Sequence, residues 1–580
     1  MRENNHTEES NSLRLDKGRS VLEKSIIFAL LLLLGFAACK NISYPLLWNG
    51  EAETAMGSQR VINYGYLKVH NGINSIYVPE NPMWLGYREK YDASAASVWG
   101  NYYFGAIGVK LAEFTQDVYQ KTALIRLPFA IAAIIGLVIF AYAFSGFFNT
   151  TNSFRIFFAS FLFLELLSVN LLLHIRQARY YSLIILATAC FFYVFASFHF
   201  YRKYSRRKYL TLLLLLLLVS FNISYLTYVS IFVTVGLYQC ISYLNFRWKL
   251  VRFVQPCSFK ELLILTSPLY LSALLLIPEL VFYQFFENAS AASRYYHSDL
   301  MAYVNHLRGL LAVLCKFDLL PAMIIVKIFR EGYYYFVKKN KLSLSENTKM
   351  LEAMEFFMLI FLAVLPVFAG RMPWLYTRYF IVLQPVIVLI LLSNVFIILG
   401  YEAVLPQRKF FNSIRLSFLP LACFICLSDI ALSENHFSDY IYQLSHPLKG
   451  PLDYYIPAIK EKFPHTENIV LATNYEEFSY EYYLGCNVII GYGNKFRPIS
   501  EKELQQYSPD VMIIRPFWKQ SLMPYQYYLQ HGNYQKVVFP VADRPVNDLP
   551  EMNFFMVHQF KTHIAETDDK KAYMYLKVQP

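Results

Sequence analysis

Apolar residues run in long blocks along this chain rather than in short alternations. Ile26–Ala38, Leu212–Val219 and Ile381–Leu392, extended by their apolar flanks, reach the ~20 residues that cross a bilayer as a helix. The first block spans about 25–45, and others lie near 123–145, 154–174, 180–200, 209–221, 225–244, 261–282, 308–329, 353–369, 376–399 and 413–432. The stretch 209–243 is too long for one crossing at ~1.5 Å per residue. Basic clusters bracket it, Arg202-Lys203 to Arg206-Arg207-Lys208 on one side and Arg247, Lys249 and Arg252 on the other, so it predicts a hairpin turning near Asn222. The pattern predicts an all-α polytopic membrane domain of about 11 transmembrane helices, counted at the length a bilayer requires.

After 433 the pattern changes. Short apolar strands, Asn468–Thr473, Asn487–Ile490 and Asp510–Ile514, alternate with helix-like stretches at Tyr475–Tyr483 and Glu501–Tyr507. That alternation predicts a small α/β domain over about 445–580. It holds no glycine-rich phosphate loop, so nucleotide binding is not indicated.

Composition narrows the class. Of 580 residues 56% are hydrophobic and 16% charged, with 47 Tyr and 49 Phe, against ~25% charged in soluble domains. This argues against a soluble enzyme and against a disordered chain. Lys and Arg total 53 against 41 acidic residues, and in a membrane protein such an excess reports loop orientation before it reports nucleic acid. The polar start to Lys24, with Arg14, Lys17, Arg19 and Lys24, looks like a signal peptide, but Cys39-Lys40-Asn41 is a poor cleavage site. It reads as a cytoplasmic tail, 1–24, before a retained first span. If 94–114 crossed, the basic clusters at 202–208, 247–260, 330–349 and 408–415 would face out. If it lies along the outer surface they all face the cytoplasm, as the positive-inside rule favours. The membrane domain is then 25–432 with an outer loop at 46–122, and the C-terminal domain is extracytoplasmic. Cys423 and Cys426 have CxxC spacing but sit in an apolar helix without a second ligand pair, which does not make a zinc site.

Three outward clusters carry candidate chemistry. Glu51 and Glu53 open a short surface helix that Asn49 is placed to cap. Carboxylates favour a helix N-terminus for structural reasons, and one at the water–lipid boundary also suits a general base or metal ligand. Two residues apart, they do not share a helix face. His174-Ile175-Arg176-Gln177-Ala178-Arg179-Tyr180-Tyr181 follows, with Arg176 and Arg179 spaced to approach one anion. Snorkelling explains such arginines too, but short outer loops disfavour Arg. The third is Gly370-Arg371 to Trp374, Tyr376-Thr377-Arg378-Tyr379, where an aromatic belt explains the rings but not the paired Arg. Lys316 with Asp318 reads either as a neutralised pair lining a cavity or as a junction between two helices. Arginines at one membrane face beside a carboxylate and a hydrophobic body suit a lipid-linked phosphate ligand.

In order and spacing these clusters resemble the GT-C membrane glycosyltransferases, in particular family 39 protein O-mannosyltransferases and the lipid A aminoarabinose transferases. The resemblance covers about 25–400. It is carried by Gly50-Glu51-Ala52 to Asn63-Tyr64-Gly65, Arg126-Leu127-Pro128, His174-Ile175-Arg176-Gln177-Ala178-Arg179-Tyr180 and Thr377-Arg378-Tyr379. The family's Asp-Glu pair is Gly50-Glu51 here, and the proline-rich element expected before 95–110 is missing.

The resemblance implies a GT-C-like fold and an enzyme that transfers a sugar from a polyprenyl-phosphate donor to a lipid, glycan or protein acceptor. Transfer would be by inverting displacement at the outer face of the cell inner (cytoplasmic) membrane. It implies Glu51 or Glu53 as the catalytic acidic residue, and Arg176, Arg179, Arg371 and Arg378 on the donor phosphate. Tyr180 and Tyr379 would contact the donor lipid. A divalent Mg or Mn ion is compatible with the carboxylates, without a dense ligand cluster. The competing readings are a multi-span transporter or flippase, and an oligosaccharide polymerase or ligase of the cell envelope.

Overall fold

The computed structural model describes residues 3–70, 75–77, 87–95, 97–148, 150–249, 251, 253–287, 300–314, 318–339, 345–370, 377–399, 409–432, 436–490, 501–505, 508–515, 523–543 and 571–578. Among these, six helices are long and apolar enough to cross a membrane: Val21–Cys39 (within a helix from Glu3), Val118–Phe147, Tyr181–His199, Tyr225–Trp248, Phe259–Phe282 and Glu346–Ala369. A bent pair makes a seventh, and Leu383–Leu399 and Phe418–Asp429 are shorter apolar helices. The chain is therefore a multi-pass membrane protein, mostly helical, with a small sheet region near its C-terminus.

Local sequence sets the helix boundaries. Asp117 caps Val118–Tyr142 by accepting from Gln120 N at 2.7 Å, and Ser258 forms a full capping box with Glu261 at the start of Phe259–Leu275. Ser224, whose hydroxyl accepts from Thr227 N, ends Arg206–Ile223 and starts Tyr225–Trp248, so the hairpin turns beside Asn222 as the charges required. Val118–Tyr142 packs extensively on Tyr181–His199. Gly136 permits this approach, since a Cβ there would lie 2.9 Å from the Leu186 Cα. Rings fill the space against Glu346–Ala369, with Phe195 and Phe357 stacked at 3.7 Å between centroids.

Three apolar blocks differ in form from single straight spans. The block 154–174 is two helices, Thr151–Leu167 and Val169–Ile175, meeting at 84°. Ser168 makes the break: its backbone is extended, and its hydroxyl accepts from Leu171 N and donates to Asp318 at 2.9 Å. The block 308–329 lies across Leu300–Leu314 and Leu320–Lys339, with Asp429 accepting from Ala322 N at the start of the second. Asp318 thus stands at a helix junction beside the buried Glu165, while Lys316 lies outside the described residues. The block 94–114 contains a 13-residue helix, Gly100–Ala112. At ~1.5 Å per residue it is about 20 Å long, too short for the ~30 Å hydrocarbon layer. It packs instead on Asn49–Tyr64 and Val118–Tyr142.

The sheet contains the three strands legible in sequence: β4 (Val470–Thr473), β5 (Asn487–Ile490) and β6 (Val511–Ile513). It also contains β1 (Ser75–Tyr77), β7 (Tyr534–Ala542) and β8 (Lys571–Lys577). The order is β1-β5-β4-β6-β8-β7, parallel from β1 to β6 and antiparallel beyond. β2 (Tyr87–Arg88) and β3 (Ala93–Ser94) form a separate small hairpin. The edge strand β1 lies between the helices Asn49–Tyr64 and Gly100–Ala112, about 400 residues before its partner β5.

Candidate functional site

The helix Asn49–Tyr64 lies where the sheet region meets the helix bundle. It starts after the extended Trp48 and ends at Gly65, whose left-handed φ of 79° lets its N–H return to the Val61 carbonyl. Asn49 is not the cap expected from sequence. It is the first helical residue, and its side-chain oxygen accepts from Phe478 N of the sheet domain at 3.0 Å. Nearly the whole first turn is buried because something packs on each side of it.

Glu51 points inward and is fully buried. Arg126 grips it with both forks, Nε to Oε1 at 2.8 Å and Nη2 to Oε2 at 2.5 Å, and Ala178 N donates to Oε1 at 2.8 Å. Arg126 also donates through Nη1 to the carbonyls of Ile42 and Pro45, each at 2.8 Å. Glu51 therefore ties the first span's exit, the second span and the 176–180 loop together. Its two oxygens accept three protein hydrogen bonds, and neither is turned to solvent.

Glu53, on a different face, has a side chain 34% exposed. Its Oε1 accepts from the Tyr102 hydroxyl at 2.9 Å and its Oε2 from Arg179 Nη1 at 3.0 Å. Arg179 Nη1 also donates to the Gly50 carbonyl at 2.5 Å, with Thr54 Oγ1 at 3.4 Å. Burial works against the Arg179 charge, but Glu53 and the tyrosines Tyr181, Tyr102 and Tyr180 outweigh it and hold the guanidinium firmly protonated. Burial, then the Glu53 charge, push the Tyr102 phenol up. Trp48 donates from its indole to Gln177 at 2.6 Å and places its ring under Arg179, 5.8 Å from the guanidinium carbon.

Arg176 terminates the short helix Val169–Ile175 and is itself buried. Burial lowers its pKa to about 10, with Tyr440 opposing that and Arg126 adding to it. Two guanidiniums, Arg126 and Arg176, thus lie within electrostatic reach of one carboxylate, Glu51, and Asp453 also acts on Arg126. The 84° bend creates this geometry by turning the chain along the end of the bundle just before Arg176. Tyr180 is half-buried, its ring 5.8 Å from the Arg179 guanidinium carbon.

Of the third cluster, Arg371 lies outside the described residues. Arg378 and Tyr379 are half-buried on the turn Thr377–Tyr379 that leads into Leu383–Leu399, with the Arg378 guanidinium carbon 5.6 Å from the Tyr379 ring. Among the described residues no group of three or more His, Cys, Asp and Glu side chains is arranged to hold a metal ion.

The sheet domain contributes residues that sequence reasoning did not assign to the site. Its helix Glu477–Leu484 packs on Asn49–Tyr64. Ser479 donates to the Leu47 carbonyl at 2.9 Å, and the Tyr483 hydroxyl accepts from Leu47 N at 3.0 Å and bonds Thr122 at 2.5 Å. Glu477 is buried at this junction; burial, then the charges of Glu53 and Glu476, raise its pKa to about 7. Asp453, at the start of Leu452–Lys462, is also raised to about 7 by burial, against the stabilising bonds from Gly450 N, Leu46 N and Tyr119. Behind them Arg515 pairs with both Glu476 and Asp543. No local sequence signal joins Glu477 to Glu53, because the two meet only when the sheet domain docks.

These features define a multi-pass membrane protein in which a sheet domain closes over an acidic and cationic site at one end of the helix bundle. The sequence matches no protein-family model and no curated protein. Among solved structures the chain is similar to ArnT from Cupriavidus metallidurans bound to undecaprenyl phosphate, at 12% identity and a TM-score of 0.48, over 96% of this chain and 98% of that one. The chemistry of the site therefore rests on its own side chains.

Proposed function

We propose that the chain is a GT-C-type glycosyltransferase that moves a sugar from a polyprenyl-phosphate to an acceptor hydroxyl at the outer face of the inner membrane. The observation that carries this is one end of an apolar bundle holding the half-exposed carboxylate of Glu53 beside Arg179, with the buried Arg176 in electrostatic reach of Glu51. A lipid-linked phosphate needs cations at the membrane boundary and an apolar body for its tail.

In this reading Glu53, oriented by Tyr102 and Arg179, takes the proton of the acceptor hydroxyl. The acceptor oxygen bonds to the anomeric carbon from the face opposite the phosphate, and the carbon–oxygen bond to phosphate breaks. The polyprenyl phosphate leaves with the electron pair, and Arg176, Arg179, Arg371 and Arg378 stabilise its charge. Tyr180 and Tyr379 flank the donor. Glu51 acts through Arg126 as a positioning residue rather than as the base, since its oxygens already accept three protein hydrogen bonds.

The membrane topology belongs to the same proposal: about eleven crossings by the bilayer-length count, the N-terminus in the cytoplasm and the sheet domain outside. Helix alternation supports it. With Tyr181, Tyr225 and Leu383 at the site end, Arg202–Lys208, Arg247, Lys249, Lys260 and Lys349 fall at the opposite end. The outer unit is then 445–580 with Ser75–Tyr77 as its edge strand.

The test is the lipid content of cells lacking the protein. One polyprenyl-phosphate sugar should accumulate and one glycan modification should disappear, and both should be restored by the wild-type chain but not by Glu53→Gln or Arg179→Ala at equal expression. Restoration by Glu53→Gln to wild-type level would remove Glu53 from the mechanism. An unchanged polyprenyl-phosphate pool would remove the reaction.

A further inference from the structure

At the end of the bundle away from the sheet domain, a cavity of about 280 Å³ opens between the helices Tyr181–His199, Tyr225–Trp248 and Phe259–Leu275. Arg202, Arg206, His199, Gln239, Cys257 and Leu265 are among its lining. It belongs to none of the chemistry described above.

Both walls are fixed by hydrogen bonds. On one wall Tyr201 N returns to the Ala196 carbonyl at 3.0 Å and Lys203 N to the Ser197 carbonyl at 2.8 Å. The Tyr201 hydroxyl donates to the Ala143 carbonyl. Between these anchors Arg202 takes a left-handed backbone, φ 52°, which a non-glycine residue adopts only where its surroundings impose it. On the other wall Cys257 N donates to the Ser242 carbonyl at 3.2 Å, and Asn245 holds both Val251 N and the Val254 carbonyl. At the base Gln239 Nε2 donates to His199 Nε2 at 3.2 Å.

The charge of this preformed cavity is not balanced. Neither Arg202 nor Arg206 forms an ion pair within 4 Å among the described residues, by contrast with Arg126, Arg179, Arg330 and Arg515. The acidic residue in the lining, Glu261, lies in electrostatic range of Arg206 but uses Oε2 to accept from the Ser258 backbone and hydroxyl, each at 2.9 Å. Lys203, Arg207 and Lys208, exposed neighbours of Arg202 and Arg206 along the chain, add further positive charge to this segment. The neighbouring surface exposes Trp248, Phe259 and Leu263, an apolar rim against which acyl chains can lie.

We propose that this cavity binds a phosphate group, held between the Arg202 and Arg206 guanidiniums. Forked guanidiniums match phosphate oxygens bidentately, and basic pockets between membrane helices are suited to phospholipid headgroups. The volume is at the lower end for small-ligand sites, ~300 Å³ upward, which admits a headgroup or a small phosphate ester. The phosphate comes either from an anionic phospholipid of the adjoining leaflet or from solution.

The full chain in phosphatidylcholine nanodiscs doped with phosphatidylglycerol separates these sources. Native mass spectrometry counts retained phosphatidylglycerol, and calorimetry with inorganic phosphate in undoped discs measures the soluble arm. At the worth of a basic side chain near an anionic surface, Arg202→Ala/Arg206→Ala should lower retention or phosphate affinity about 30-fold. Arg202→Lys/Arg206→Lys should keep much of it. Both side chains are exposed, so the melting temperature serves as the folding control. Selective phosphatidylglycerol retention lost in the double alanine variant supports a lipid headgroup. Inorganic phosphate binding lost in that variant supports a soluble phosphate. Equal binding of both probes by wild type and variant overturns the proposal.

Discussion

Removing Glu51 separates a positioning role from a catalytic one. Glu51→Ala leaves the Arg126 guanidinium buried with the Ile42 and Pro45 carbonyls as its remaining acceptors. It also deprives Ala178 N of its partner. Three hydrogen bonds to a charged carboxylate are lost, each worth ~1.5–3 kcal/mol before relaxation, and breaking one side of a buried pair costs about 3–5 kcal/mol. The lower part of that range applies here because two carbonyls still accept from Arg126. Replacing both partners, Glu51→Leu with Arg126→Met, removes the uncompensated charge and should recover most of the loss. The assay is thermal unfolding of wild type, Glu51→Leu, Arg126→Met and the double variant in the same detergent, read beside transfer activity. The expected coupling is at least about 2 kcal/mol, with activity falling in step with stability in the single variants and returning in part in the double. If Glu51→Gln abolished transfer with an unchanged melting temperature, and the double variant were equally dead, Glu51 would be the base.

Other outcomes follow from the same geometry. Arg330 holds Glu352 at 2.5 Å and Glu355 at 3.0 Å, so Arg330→Ala should destabilise by about 3–5 kcal/mol in thermal unfolding. Gly108→Ala should cost about 1–3 kcal/mol, because the new Cβ meets Ile125 backbone atoms at 2.7 and 2.8 Å, whereas Gly35→Ala, with nothing within 4 Å, should be neutral by the same measurement. Asp453 and Glu477 have folded pKa values raised to about 7, so the sheet domain binds more protons docked than undocked between about pH 4 and 7. Its docking should be tightest in acid and weaken as pH rises through 7. Hydrogen exchange of Glu477–Leu484, corrected for intrinsic rates, should show protection falling from pH 5 to pH 8. Asp453→Asn should flatten that trend, and protection rising with pH would reverse the assignment.

The sequence carried the bundle well and the site in part. Long apolar blocks with basic flanks locate helices whatever their partners, so the hairpin beside Asn222 was legible, while for 94–114 the charges spoke only against a crossing and not for the helix Gly100–Ala112. The Ser168 break was not, since a single serine in an apolar run carries no mark of its partner Asp318, which stands on a turn 150 positions away and accepts its hydroxyl. The different faces of Glu51 and Glu53 follow from their spacing, but which one is locked depends on Arg126, 75 positions away. Likewise β7 reads poorly because Lys536 and Pro540 interrupt its apolar pattern, and Glu477 has meaning only against Asn49 and Glu53.

The parallel pairing of Ser75–Tyr77 with Asn487–Ile490 has a consequence for how the protein is made. The segment between Tyr64 and Gly100 emerges early in synthesis, yet its strand has no ladder to join until the last quarter of the chain has been translated and delivered to the same side. Asn41, bonding the Gln443 and Leu444 carbonyls, waits for the same event. The acidic face is thus assembled last. A chain halted before its final domain would insert its helices and still present an open, unfinished site.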